Sequence, residues 1–293
     1  MELSALRSDF GVEVRGIGLI DAASSDSVYR AARDAFEEHS VLLFREQDVT
    51  DDVQAAFSRA FGPLERVKIG SVGVGTFYSR LHNIAADGNL VPPTHQQALT
   101  ARANQLWHTD SSFKRLPARA SLLYARSIPP IGGHTEFADE RAAYDALPEE
   151  TKRRLDSLVA EHSIFNSRAR LGFTNFSDEE RQGMPPVPQV VVRTIPESGR
   201  KSLYLASHAG RILGMSEDDG RALIDGLVTH ATQRQFVYTH RWRVHDLVIW
   251  DNRCTMHRGT DFDDLRWKRD MQRATVSDVA NSCEQEGVAV AAA

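Results

Sequence analysis

The runs Gln105-Leu106-Trp107-His108, Ala120-Ser121-Leu122-Leu123-Tyr124-Ala125-Arg126-Ser127-Ile128 and His134-Thr135-Glu136-Phe137-Ala138 read as three short strands in succession, with no helical spacing between them. Outward from this block the pattern continues. Short apolar or alternating runs predict strands at Gly11 to Leu19, Val41 to Phe44, Leu81 to Ala85, Glu161 to Phe165, Val190 to Ile195, Ser202 to Ala206, Phe236 to His240, Leu247 to Trp250 and Gln272 to Val276. Helices are fewer. Ser25 to His39 has helical spacing (Val28, Ala31, Ala32, Ala35, Phe36) with Ser24, Ser25 or Asp26 to cap it. Thr50 caps a second helix that Gly62-Pro63 closes, and Ser216 caps a third over Ser216 to Thr232, with Glu217, Asp218 and Asp219 in its first turn. Two more are expected at Arg141 to Leu147 and Glu149 to Glu161. Many short strands with a few helices interleaved indicate a mainly β fold, a sandwich or barrel with helices packed outside. The strands are too seldom followed by helices for a doubly wound parallel sheet.

The 293 residues carry 35 Lys and Arg against 40 Asp and Glu, a formal net charge of −5, with 41% hydrophobic and 26% charged residues. These are the proportions of an ordinary globular chain. The length lies near the roughly 250–300 residues at which a single core stops growing, and one domain over 1–293 is expected. The acidic balance argues against nucleic acid as a partner. No apolar run approaches the ~20 residues of a membrane span. Two cysteines, Cys254 and Cys283, exclude a disulfide scaffold and a Cys-rich zinc module. Residues 1–10 lack the basic-then-apolar pattern of a signal peptide, so a cytoplasmic setting is expected. Residues 70–103 are rich in Gly and polar residues with Pro92-Pro93, and are expected to form an active-site lid. Residues 282–293, above all Val288 to Ala293, are expected to fray.

Chemistry concentrates in two segments. In a strand, His108 and Asp110 would point to the same face with Cα atoms roughly 6.5–7 Å apart, presenting an imidazole and a carboxylate to one metal ion. Trp250-Asp251-Asn252-Arg253-Cys254-Thr255-Met256-His257-Arg258 places a further histidine just beyond a strong strand. Two histidines and one carboxylate leave three positions of an octahedral ion open, the facial arrangement of non-haem Fe(II) oxygenases. The plainer alternative is a histidine satisfied by a neighbour, with Asp110 capping a turn before Ser111-Ser112. A zinc hydrolase also uses two histidines and a carboxylate, but no His-Glu-x-x-His is present. A non-catalytic jelly-roll binding protein would be expected to show a broken triad.

The flanking residues decide between these. Ala103-Asn104-Gln105-Leu106-Trp107-His108-Thr109-Asp110-Ser111-Ser112-Phe113, Pro129-Pro130-Ile131-Gly132-Gly133-His134-Thr135-Glu136-Phe137 with Arg141 to Pro148, and Phe236-Val237-Tyr238 through Trp250 to His257-Arg258-Gly259 follow one another in order. Over nearly the whole chain the sequence resembles the Fe(II)/2-oxoglutarate-dependent dioxygenases of the taurine dioxygenase and 2,4-dichlorophenoxyacetate dioxygenase group, on its herbicide-degrading branch. The resemblance implies a double-stranded β-helix (jelly-roll, cupin-like) core and the cofactors Fe(II), 2-oxoglutarate and O2. It implies a metal triad of His108, Asp110 and His257, with Thr135 and Arg269 on the distal carboxylate of 2-oxoglutarate. Arg273 matches an arginine that meets the acidic group of the primary substrate, and Asn104 matches a position near that substrate. Arg269 and Arg273 differ by four and share one face of a strand with Met271 between them. A guanidinium fork suits a carboxylate better than an ammonium does. His208 is a further candidate for the substrate pocket, while Trp107 and Trp250 are read as core. His82, His134, His162, His230, His240 and His245 are read as structural or solvent-facing. The implied reaction hydroxylates a small carboxylate, an aryloxyalkanoate such as 2,4-dichlorophenoxyacetate, with ether cleavage to a phenol and an oxo-acid and with release of succinate and CO2. A taurine-like sulfonate or another small acid is the alternative substrate. Lysines that hold the aryloxyacetate in the herbicide-cleaving relatives would correspond here to Lys68 and Asn89. The expected partner is a small acidic molecule, with no nucleic acid and no membrane; a homo-oligomer is left open.

Overall fold

The computed structural model describes residues 1–67 and 75–285. In chain order the first half holds β1 (Glu2–Ala5), β2 (Val12–Arg15), α1 (Leu19–Ser24), α2 (Asp26–His39), β3 (Val41–Phe44), α3 (Asp51–Arg59), β4 (Tyr78–His82), α4 (Gln96–Ala103), β5 (Ala118–Ser127), β6 (Thr135–Asp139), α5 (Glu140–Asp145) and α6 (Glu149–Leu155). The second half holds β7 (Val159–His162), α7 (Ile164–Ala169), α8 (Asp178–Gly183), β8 (Val187–Val190), β9 (Val192–Thr194), β10 (Lys201–Leu203), β11 (Ala209–Ile212), α9 (Glu217–Ala231), β12 (Val237–His240), β13 (Leu247–Asp251), β14 (Thr255–Gly259) and β15 (Asp270–Ser277). A seven-stranded sheet runs β1-β2-β3-β13-β5-β15-β4, antiparallel except where β2 meets β3. A smaller sheet, β12-β6-β14, is antiparallel, and two further small sheets, β11-β7-β8 and β10-β9, complete the set.

Period-two alternation explains why the central strands read as continuous apolar runs. On β3, Leu42 and Phe44 face the helices α1 to α3, and Val41 and Leu43 face the interior. On β13, Leu247 and Ile249 face the helices, and Val248 and Trp250 face inward toward Phe137 of the smaller sheet. On β5, Leu122 and Tyr124 point outward and Leu123 and Ala125 inward. The large sheet is therefore buried on both faces, as a sheet between helices and a second sheet must be. Burial of each such side chain contributes ~1.5–3 kcal/mol. The outer core is an aromatic cluster: Phe36, Phe57 and Phe61 meet edge-to-face with centroids 5.3 Å apart. The polar interior of the jelly roll is left for the residues that interrupt these apolar sets.

Several expectations change in the structure. Gln105 to His108 forms no strand: His108 makes a lone bridge to His257, and residues 110–113 turn away. The helix expected over Glu149 to Glu161 ends at Leu155, because Val159–His162 pairs as β7 with β8 and β11. Phe165, expected on a strand, lies instead in α7, whose cap Ser163 accepts from the Phe165 N–H at 3.2 Å. Residues 75–103 are less irregular than their composition suggests, since β4 adds to the edge of the large sheet beside β15 and α4 packs against β4. The tail does not loosen at 282. Ser282 is buried, accepts from Val190 N–H and donates to Gln189 Oε1 at 2.5 Å; residues 286–293 lie outside the described residues.

One buried carboxyl has a consequence for stability. Glu140 is fully buried, accepts from Leu205 N–H at 3.0 Å through Oε1, and leaves Oε2 without a partner. Burial pushes its pKa well above the ordinary 4.5, and neighbouring Asp139 adds to the rise against the Leu205 N–H. A raised folded pKa means the native state holds a proton that the unfolded chain gives up. Stability therefore falls as pH rises above about 4.5, by ~1.4 kcal/mol per unit for one proton. Urea midpoints of the wild type and Glu140→Gln between pH 5 and 8 should show a flatter slope in the variant. Parallel slopes would mean Glu140 is ionised in the folded protein.

Candidate active site

The site lies between the inner faces of the two sheets. β14 brings His257, and a pair of backbone bonds ties it to the 108 loop: His108 N–H donates to His257 O at 3.0 Å, and His257 N–H to His108 O at 2.8 Å. The two imidazoles stand 4.2 Å apart, centroid to centroid. Asp110 Oδ1 lies 3.9 Å from His108 Nε2, and Oδ2 lies 3.7 Å from His257 Nε2. All three ligand atoms are buried and lie within 4.8 Å of one another. His108 Nδ1–H donates to Leu106 O at 2.7 Å, so its Nε2 carries the lone pair that faces Asp110. Burial holds both histidines below their ordinary pKa, with His257 lowered further by its neighbour His108. They are neutral at pH 7, the protonation state a metal requires. Burial alone would raise the Asp110 carboxyl, but Arg273, His257, His108 and the Ser121 hydroxyl outweigh it and hold it well below the carboxylate range. Two neutral imidazoles and one ionised carboxylate fit a divalent, octahedral ion with one open face.

Asp110 is held by residues that the sequence reading did not single out. Ser121 on the inner face of β5 donates to Asp110 Oδ2 at 2.7 Å. Asn252 Nδ2 donates to Ser121 Oγ at 2.9 Å, and Asn252 Oδ1 accepts from Asp110 N–H and from Trp250 Nε1, both at 3.1 Å. All of these groups are buried. Ser111 then turns the chain at φ 54°, a left-handed conformation that a non-glycine residue adopts at some cost. Its hydroxyl donates to Glu65 at 2.9 Å.

Thr135, Arg269, Arg273 and Asn104 line one cavity with His108 and His257. Thr135 Oγ1 accepts from Trp242 Nε1 at 3.0 Å, which leaves the hydroxyl proton free to donate to a ligand. Arg269 sits one residue before β15; Asn83 Oδ1 accepts its N–H at 2.8 Å, and its Nε has no partner. No carboxylate among the described residues meets its guanidinium, and burial pushes its pKa down to about 10. It is still a cation at neutral pH. The two glycines before Thr135 are a steric requirement: a Cβ on Gly132 would collide with Asp261 O, and one on Gly133 would come within 2.8 Å of Pro129 and 3.5 Å of Arg269 Nε. Arg273 already has a protein partner, since its Nη1 donates to Asp110 Oδ1 at 2.5 Å.

The remaining candidates divide. His208 is buried outside the cavity wall, edge-on to His108 at 6.2 Å, with Nδ1 3.0 Å from Ser112 Oγ. Asn89 is exposed and bonds Asp87 at 2.8 Å, away from the cavity; Lys68 lies outside the described residues. His82, read as structural, lines the cavity beside Gln97 at 3.2 Å. Trp250 is core, and Trp107 packs half-buried against the core around Leu205 and Met256, with Arg258 over its outer face.

Comparison with known proteins agrees with this geometry. The profile of the family "Taurine catabolism dioxygenase TauD, TfdA family" matches residues 2–275. The chain belongs to that family. This TauD/TfdA-family protein is 45% identical over 276 residues to an alpha-ketoglutarate-dependent 2,4-dichlorophenoxyacetate dioxygenase of Cupriavidus pinatubonensis, covering 92% of this chain and 96% of the relative. A second 2,4-dichlorophenoxyacetate dioxygenase, from a Burkholderia strain, is 43% identical over 87% of this chain and 88% of the relative. The crystal structure of AAD-2 in complex with Mn(II) and N-oxalylglycine superposes with a TM-score of 0.90 at 44% identity, covering 97% of this chain and 99% of that one. The TauD/TfdA-family chain has their jelly-roll core and is a 2-oxoglutarate-dependent dioxygenase of Fe(II), 2-oxoglutarate and O2. No helix among the described residues is long and apolar enough to cross a membrane.

Proposed function

We propose that this dioxygenase hydroxylates an aryloxyalkanoate such as 2,4-dichlorophenoxyacetate at the carbon bearing the ether oxygen, releasing a phenol and an oxo-acid. The observation that carries the reading is the 45% identity, over 96% of its length, to a 2,4-dichlorophenoxyacetate dioxygenase. His108, Asp110 and His257 hold Fe(II), with Ser121 and Asn252 fixing the Asp110 carboxylate. Bound iron supplies oxygen activation, coupled to conversion of 2-oxoglutarate to succinate and CO2. Arg269 and the Thr135 hydroxyl orient the distal carboxylate of 2-oxoglutarate. Arg273 keeps Asp110 ionised, and its unpartnered Nε faces the substrate acid. Asn104 borders the substrate, and His208 backs His108 from outside the cavity wall. Residues 1–293 act as one domain; the wall built by β4 and α4, with Asn83, Val91 and Ala98, closes over the reactants and keeps water out. The free cysteines Cys254 and Cys283 suit a reducing cytoplasm.

The test is aerobic turnover with Fe(II), 2-oxoglutarate and 2,4-dichlorophenoxyacetate, following phenol and succinate together. Equal amounts of both are expected. Succinate formation driven by a sulfonate such as taurine, with no phenol from any aryloxyacetate, would replace this substrate class with the sulfonate one.

A further inference from the structure

One face of α4 borders the active-site cavity. Gln97, Ala98, Ala101 and Arg102, at i, i+3 and i+4 spacings, line it together with Asn104 just past the helix end. That end is fixed to the strand that carries His257. Asn104 N–H donates to Ala101 O and Gln105 N–H to Arg102 O, each at 3.1 Å, and Asn104 O accepts from Gly259 N–H at 2.8 Å, two residues past His257. Arg102 is exposed, and its guanidinium makes no hydrogen bond or ion pair among the described residues. Leu81, Val91, Ala98, Ala101 and Phe262 give the same cavity an apolar lining.

Four arginines line this cavity, and their charges are committed differently. Arg80 is matched by Asp270, with Nε at 3.2 Å and Nη2 at 2.6 Å from its two oxygens. Arg273 is matched by Asp110, so an acid that meets its Nε gains a hydrogen bond from a pair whose charges already offset one another. Arg269 meets no carboxylate among the described residues and shares the cavity with Thr135, where the distal carboxylate of 2-oxoglutarate is expected. That leaves Arg102 with a charge that neither the described residues nor the cosubstrate offsets. Asp264, a carboxylate in the same lining, is exposed and forms no ion pair with it. In the free protein, water solvates Arg102 at little cost. An aryl group filling the apolar lining displaces that water, and a charge pair strengthens as its surroundings lose solvent.

We propose that Arg102 is the charge-selecting residue of the primary-substrate site: its guanidinium pairs with the acidic group of the bound substrate, while Arg273 orients that group through a hydrogen bond. This rests on the acidic-substrate reading above, and it assigns selection for an acid to α4 in addition to β15.

The experiment is calorimetric binding to the protein loaded with Mn(II) and N-oxalylglycine, in wild type, Arg102→Gln and Arg102→Lys. The ligands are 2,4-dichlorophenoxyacetate, its neutral amide, taurine and a short aliphatic carboxylate. In Arg102→Gln the tightest-binding acid should weaken more than ~5-fold, beyond what an exposed ion pair contributes. Its affinity should also become less sensitive to salt. Amide affinity and N-oxalylglycine affinity should each change less than ~2-fold, which also reports that the variants are folded. Arg102→Lys, which keeps the charge, should recover part of the loss. A smaller loss of acid affinity in Arg102→Gln overturns the proposal. So does equal weakening of acid and amide, which makes Arg102 a packing residue, or of acid and N-oxalylglycine, which makes it a general attractor of anions. Acid binding to Arg102→Lys no better than to Arg102→Gln overturns it as well. If the aryloxyacetate binds wild type and Arg102→Gln alike, the substrate reading stands without Arg102. If another acid binds in its place and loses affinity in Arg102→Gln, the charge selection stands and the aryloxyalkanoate reading falls. If the wild type binds none of the acids, both fall.

Discussion

His257→Ala is expected to abolish 2-oxoglutarate turnover and to weaken metal binding at least ~100-fold, beyond the 10–100-fold that loss of a supporting residue costs. The reason is geometric. His257 supplies one of three ligand atoms within 4.8 Å of each other, and its ring is wedged against Trp250 at 4.6 Å and beside Phe137 at 6.2 Å. No other donor is poised to replace it: among the described residues the one cluster of this kind is His108, Asp110 and His257. Because the His108 and His257 backbones bond to one another independently of the side chain, the variant should stay folded. Equilibrium dialysis with Fe(II) or Mn(II), alongside succinate formation, checks both parts. Retained 2-oxoglutarate consumption in the variant would mean the metal sits elsewhere.

Arg269→Leu should raise the 2-oxoglutarate KM by ~30-fold to several thousandfold, from the 2–5 kcal/mol scale of truncating one member of a buried charge pair. Burial already pushes the Arg269 pKa down to about 10 with no protein carboxylate to offset it. The side chain is thus held as a cation awaiting an anion. A shorter, neutral leucine leaves the 2-oxoglutarate carboxylate unpaired. The substrate KM should move far less than the 2-oxoglutarate KM, because the change is made at the far end of the cosubstrate. Steady-state kinetics with each reactant varied in turn measures this. Equal shifts in both would show that Arg269 shapes the cavity as a whole and does not read one carboxylate.

The periodicity of β3, β5 and β13 was legible because each strand is buried on both faces, so the unbroken apolar runs Val41 to Phe44, Leu122 to Ala125 and Leu247 to Trp250 announce it. The triad was legible because iron chemistry demands particular donors and the motif spacing keeps them together. Less legible was anything depending on which backbone partner a segment finds. Gln105 to His108 has strand composition, yet its only pairing is the His108–His257 bridge, since the chain must turn at Ser111 to aim Asp110 back. Val159–His162 continues a helical pattern in the sequence, but β8 and β11 lie on either side and capture it. Ser121, Asn252 and Trp242 carry no motif that marks them as supports. They become so because two sheets set them beside Asp110 and Thr135.

Residue types and their order along the chain determined by themselves the mainly β fold, the two histidines and one carboxylate, and a pair of arginines four residues apart. These depend on local chemistry and on period-two patterning, which need no knowledge of distant neighbours. Tertiary structure alone decided which arginine is free. Arg273 gives one guanidinium nitrogen to Asp110, 163 residues away in sequence, whereas Arg269 ends in surroundings where no carboxylate among the described residues meets it. Charge pairing in a folded interior is set by which elements pack together.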